Sequence, residues 1–81
     1  MNVLDEFVGA TLEEKIRLLF EHGTFVTSIR YYRYKVNLYL LGQQYFEVFV
    51  SHKHVVIERI EPLDEQHTRM KFYLDQIRLS V

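Results

Sequence analysis

The chain has no cysteine among its 81 residues, which excludes a disulfide staple and a thiol nucleophile. With one proline and three glycines, it has no glycine-rich phosphate loop, and neither a nucleophile elbow nor an HExxH sequence occurs. A long apolar run is also missing, and the opening MNVLDEFVGATLEEK carries acids where a signal peptide carries cations. No export signal and no membrane span are therefore expected, and a cytoplasmic location follows as the default. Nor is there an excess of charge: the formal net charge is −1, which argues against a general nucleic-acid binder.

Apolar residues are plentiful. They make up 48% of the chain, with six Phe and six Tyr, enough for a self-supporting core and too many for disorder. The length allows one domain, residues 1–81, because a second core would not fit. A chain this short buries only about 60–65% of its unfolded surface, so added burial against a partner subunit would help it. Charge is spread unevenly: residues 1–29 carry five acids and two bases, whereas residues 30–60 carry five bases and two acids. An anionic partner would be sought in that middle stretch.

Thr11-Leu12-Glu13-Glu14 predicts a helix start. Thr11 can accept from the N–H of Glu14 while the Glu14 carboxylate reaches back to the N–H of Thr11, a capping box. Leu12, Ile16, Leu19 and Phe20 form the apolar stripe, and Gly23 suits a left-handed closing position. His22 needs no more there than a favourable contact with the helix dipole. Ahead of this helix, Asn2 to Val8 reads as a short helical turn jointed by Gly9 and Ala10.

From Thr24 the period becomes two. Phe25, Thr27, Ile29 and Tyr31 alternate with Val26, Ser28, Arg30 and Tyr32. Val36, Leu38 and Leu40 alternate with Lys35, Asn37, Tyr39 and Leu41. Phe46, Val48 and Val50 alternate with Tyr45, Glu47 and Phe49. Gly42-Gln43-Gln44 and Ser51-His52-Lys53-His54 read as turns, and Val55 to Ile60 as a fourth strand that Pro62 stops. Gaps this short join antiparallel strands. Leu63, His67, Met70, Leu74, Ile77 and Val81 then recur at helical spacing, with Asp64 and Glu65 in the first turn and Arg78 near the end to complement the dipole. The predicted fold is α+β: a four-stranded antiparallel meander with an N-terminal and a C-terminal helix packed on one face.

If the helices cover Val36, Leu38, Leu40, Phe46, Val48 and Val50, the opposite face should be polar. Ser28, Arg30, Asn37 and Glu47 fit that; Tyr32, Tyr39, Leu41, Tyr45 and Phe49 do not. Grouped aromatics on a solvent face suggest a contact surface, although tyrosine also stabilises sheets through cross-strand pairs without any partner. The first functional expectation is a non-enzymatic interaction module, a homodimer or a binder of another protein. Its candidate interface residues are Arg30, Tyr32, Tyr39, Tyr45, Glu47 and Phe49. The alternative is a binder of single-stranded RNA or an anionic ligand through the run RYYRYK, using Arg30, Tyr32, Arg33, Tyr34 and Lys35. Against it, the cations of a strand end also serve to block edge pairing.

His52 and His54 are two apart and would share one side of an extended segment, as a chelating pair does, but no third ligand is fixed by spacing. His67 lies on the apolar stripe of the last helix and reads as a partly buried histidine with a satisfied ring nitrogen. No catalytic residue, metal or cofactor is expected.

Two resemblances add to this. A small α+β unit whose meander bears Arg, Lys, His and Tyr resembles the RelE-like ribonuclease toxins, which cleave ribosome-bound messenger RNA. That likeness would make Arg30, Arg33, Lys35 and His54 the candidates. The chain departs from the family in its lack of strong basicity and of a strand before its helices. The run YYRYKVNLYLLGQQYFEVFV, followed by KFYLDQI, is similar to small uncharacterised bacterial proteins of about this length, and that likeness implies no activity to carry over.

Overall fold

The computed structural model describes residues 3–63 and Tyr73. Two helices, α1 (Val3–Val8) and α2 (Leu12–His22), precede four strands, β1 (Thr24–Tyr31), β2 (Tyr34–Leu41), β3 (Gln44–Ser51) and β4 (Ile57–Leu63). The strands form one antiparallel sheet in the order β1-β2-β3-β4, so the α+β class and the meander stand as expected. The C-terminal helix expected from Leu63, with Asp64, Glu65, His67 and Arg78, lies outside the described residues apart from helical Tyr73, and Leu63 itself belongs to β4.

At the start of α2, Thr11 Oγ1 accepts from the Glu14 N–H at 3.3 Å. The reciprocal half of the capping box is replaced: the Glu14 carboxylate turns along the helix to Arg17, at 2.8 Å. Arg17 also reaches Glu21 at 3.0 Å. Its pKa is raised first by the Glu14 hydrogen bond, then by the Glu14 charge and by Glu21. Gly23 is extended, not left-handed. Its lack of a side chain matters for another reason, because a Cβ there would stand 2.6 Å from the Leu19 carbonyl oxygen that the Gly23 N–H bonds. The buried stripe of α2 is Leu18 and Leu19, which pack on Phe7, Leu41, Phe46 and Val48. Phe20 and Leu12, expected inside, are exposed.

Strand register decides which side chains share a face, because residues directly opposite in an antiparallel pair point the same way. The β2–β3 turn holds only Gly42 and Gln43, with Leu41 opposite Gln44. Gly42 takes the left-handed conformation, φ 63°, that the first position of such a hairpin turn requires. A two-residue turn places odd residues of β2 beside even residues of β3. Tyr39 therefore lies opposite Phe46, Val36 opposite Phe49 and Leu38 opposite Glu47.

This splits the apolar set expected on a single face. One face carries Tyr39, Leu41, Phe46, Val48, Val50, Ile57 and Ile60 under α1 and α2, with Phe7 and Phe46 ring centroids 4.4 Å apart. The other carries Ile29, Val36, Leu38, Phe49, Leu63 and Tyr73. α1 and α2 thus pack on one face, while the described residue of the C-terminal segment packs on the opposite one. Both sides of the sheet hold buried side chains.

Two irregularities complete the register. In β1 an extra residue at Val26 shifts the pairing between Phe25 and Thr27. Phe25 consequently sides with Ser28 and Arg30, not with Thr27 and Ile29 as strict alternation would have it. In β4 the strand runs through Pro62, which pairs with Phe46. Proline is tolerated because β4 is an edge strand and the missing N–H can face away from the ladder.

Candidate functional site

The six residues expected to make an aromatic contact face do not share a surface. Glu47 and Phe49 are 0% exposed. They lie on the face closed by Tyr73, whose hydroxyl donates to Glu47 Oε2 at 2.8 Å. Tyr45 is half-buried on that same side. Tyr39 belongs to the other face, half-buried beneath α2 with its ring 5.7 Å from Phe20 and 5.6 Å from Phe25. Arg30 is exposed on the α2 side of β1. Tyr32 is 87% exposed at the β1–β2 turn. The parity of the β2–β3 turn separates them, and among the described residues both faces of the sheet carry buried aromatic side chains.

The structure gathers the second candidate set at one end of the sheet. In a meander, alternate turns lie at the same end, so the β1–β2 turn and the β3–β4 loop are neighbours. They are joined by a backbone hydrogen bond, His52 N–H to Arg33 O, at 3.1 Å. The β1–β2 turn holds only Tyr32 and Arg33, with Tyr31 opposite Tyr34 and Arg30 opposite Lys35. The turn therefore resets the alternation of RYYRYK. Tyr31 and Tyr34 face one side, Arg30 and Lys35 the other, and Tyr32 and Arg33 form the tip.

Two shallow depressions flank this tip. One, of about 440 Å³, is lined by Ser28, Ile29, Arg30, Lys35 and His52. The other, of about 350 Å³, is lined by Arg33, Tyr34, Ser51, Lys53, His54 and Glu58. Arg30, Arg33, Lys35 and Lys53 carry the fixed positive charge, and His52 and His54 add to it when protonated. Glu58 is the single acid lining either depression among the described residues. Arg30, Arg33, Lys35 and Lys53 take part in no ion pair among the described residues. Arg59 is different. Its guanidinium lies 3.9 Å from the Phe49 ring centroid and 5.1 Å from that of Tyr34, and its Nε pairs with Glu61 at 3.2 Å. That side chain is committed to the sheet.

His52 and His54 do not form a chelating pair, because they sit in a turn and line different depressions. Two-residue spacing puts side chains on one side only in extended backbone. Among the described residues no group of three or more metal-ligating side chains comes together.

Two residues at this end have backbone conformations that cost energy. Tyr32 has φ 56° and Val55 has φ 54°, the left-handed region that a β-branched residue almost never adopts. Four hydrogen bonds hold the loop in shape: Val55 N–H to Ser51 O at 2.8 Å, Ser51 N–H to Val56 O at 2.9 Å, the His52–Arg33 bond, and His54 N–H to Ser51 Oγ at 3.3 Å. Sequence reasoning passed over Lys53 and Val55. The signal for Lys53 was available: short turns on a meander necessarily bring the first and third connections to one end. No family model, curated protein or solved structure matches the chain. Among the described residues, no helix is long and apolar enough to cross a membrane.

Proposed function

We propose that the protein is a non-enzymatic binding module for single-stranded RNA, which it contacts with the end of the sheet formed by the β1–β2 turn and the β3–β4 loop. The observation that carries this reading is the backbone tie between His52 and Arg33. It brings Lys53 and two histidines to the run RYYRYK, so the cations come from two separate stretches of chain with one acid among them. A single strand offers phosphates to Arg30, Arg33, Lys35 and Lys53 and an unstacked base to the exposed ring of Tyr32. The net charge of −1 does not oppose this, because five of the eleven acids lie in residues 1–29, which form α1, α2 and the start of β1. Over about 8–10 Å of screening length, the local cations dominate what a strand at the tip experiences.

Ribonuclease activity of the RelE-like kind receives less support from the same geometry. Its four candidate residues divide between two depressions, Arg30 and Lys35 in one and Arg33 and His54 in the other.

Fluorescence anisotropy with a labelled single-stranded RNA, across a salt series, tests the reading. Contacts to about three or four phosphates give a slope of log K against log salt near −2 to −3. Replacing Arg33 and Lys53 together by Ala should lower the slope by about 1 to 1.5 and weaken binding of every sequence alike. Absence of binding at low salt, or an unchanged slope in the double variant, refutes it.

A further inference from the structure

The two edges of the sheet are built differently. β4, at one edge, has Pro62 within it, a register shift between Phe49 and Val50 pairings, and charges at Glu58, Arg59 and Glu61. These are the usual means by which an edge strand refuses a further strand. β1, at the other edge, has no charge from Thr24 to Ile29. Among the described residues it pairs only with β2. Its side chains are open as well. Phe25 is 53% exposed, Val26 is exposed, and Phe20 of α2 extends the apolar surface to Tyr39, the rings linked through Tyr39 at 5.6 and 5.7 Å.

We propose that β1 pairs antiparallel with β1 of a second copy, about a two-fold axis at Ser28, joining two four-stranded sheets into one. The register of β1 on β2 selects this axis. Tyr31, Ile29 and Thr27 alternate with Arg30 and Ser28 along the ladder. With Tyr31 and Tyr34 closing a two-residue hairpin as a hydrogen-bonded pair, the backbone groups of Ser28 and Arg30 point away from β2. A two-fold axis at Ser28 lets these outward groups meet their counterparts.

The same axis matches side chains. Because the extra residue at Val26 puts Phe25 on the face of Ser28 and Arg30, each Arg30 comes to lie beside the partner's Phe25. A guanidinium over an exposed ring is an attraction, and the two Arg30 side chains are kept apart by the length of the pairing. On the other face, Thr27 meets the partner's Ile29. The occupant is a second copy and not another extended chain, because β1 supplies both halves of this match. The extra residue at Val26 limits the pairing to the stretch around Ser28, which sets a modest dimer and not an open-ended stack: after pairing, both outer edges are the guarded β4.

The absence of cysteine from the chain makes a direct test possible. Ser28→Cys places one thiol of each copy at the axis, within reach of a disulfide. Gln43→Cys places a single thiol in the exposed β2–β3 turn, away from it. Under mild oxidation in dilute solution, Ser28→Cys should form a covalent dimer quickly and Gln43→Cys slowly. Light scattering of the unmodified protein should give twice the 9.9 kDa chain mass. Phe25→Lys, checked for retained secondary structure by circular dichroism, should shift that mass toward the monomer at a given concentration. Equal cross-linking of the two cysteine variants, or a monomer mass for the unmodified protein at its highest soluble concentration, overturns the proposal. RNA binding is tested at Arg33 and Lys53, so failure of one inference leaves the other standing.

Discussion

Val55 offers a sharp test of the physical reading of the β3–β4 loop. Its φ of 54° places Cβ against the following carbonyl oxygen, at a cost of about 1–2 kcal/mol relative to a residue at ease there. The side chain is 78% exposed and enters neither core cluster. Removing it therefore forfeits almost no burial. Asparagine tolerates the left-handed region because its short side chain bonds locally. Val55→Asn should then stabilise the protein by about 1 kcal/mol, recovering most of the strain. Val55→Gly relieves more strain but frees the unfolded chain, which takes back about 0.5–1 kcal/mol, so its gain should be smaller than that of asparagine.

For a domain of this size, about 1 kcal/mol corresponds to roughly 4–8 °C in Tm. Urea unfolding with a shared slope, followed by tryptophan-free probes such as tyrosine fluorescence or circular dichroism, reads the same difference as a change in midpoint. The expected order of stability is Asn above Gly above Val. If Val55→Asn is neutral or destabilising, then either Val55 does not hold this conformation or its exposed methyl groups are held by something. A useful control is Val56→Asn. Val56 is also exposed but has no positive φ, so no comparable gain is expected.

Gly23→Ala should cost at least about 1–3 kcal/mol in urea unfolding, in the range of a core overpacking, because its Cβ would meet the Leu19 carbonyl at 2.6 Å and cannot move without breaking the end of α2. A midpoint unchanged within error would show that the α2–β1 junction is looser than its geometry. Tyr73→Phe removes the 2.8 Å hydrogen bond to fully buried Glu47 and should cost about 1–3 kcal/mol, since a buried carboxylate loses a donor. If denaturation shows no loss, Glu47 is satisfied without Tyr73.

Element positions were largely legible in the chain because hydrophobic period and turn residues are local signals. α2 begins at the expected cap, and Gly42 and the polar run His52 to His54 mark two of the three hairpin connections. Tyr32 and Arg33 carry no such mark, and Val55 and Val56, expected in the fourth strand, belong to the loop before Ile57. What was not legible was which side of each strand faces which neighbour. That depends on the number of residues in each turn and on extra residues within strands. Treating Gln44 as part of the turn, when it is the first residue of β3, was enough to merge two faces. Val26 did the same within β1, and no residue in TFVTSI marks it as an extra one. Burial of Glu47 was equally hidden, since its partner Tyr73 is 26 positions away.

The two proposals rest on different parts of that lesson. The meeting of Arg33 with His52 and Lys53 does not depend on which side each strand faces, because it follows from the alternation of turns between the two ends of a meander. Adding or removing a residue in the β2–β3 turn would change which aromatics share a face, yet the β1–β2 and β3–β4 connections would still meet. The β1 pairing is the opposite case. It depends on Phe25 and Arg30 sharing a face, and they do so only because Val26 is an extra residue. Deleting Val26 would remove the extra residue yet leave Phe25 opposite Tyr39, on the face of Ser28 and Arg30, and would let the pairing with a second copy run past Thr27. The deletion should therefore tighten self-association, read as a dimer mass held to lower concentration in light scattering, while leaving the tip and any RNA binding it supports in place; a shift toward the monomer in a folded variant would refute the pairing.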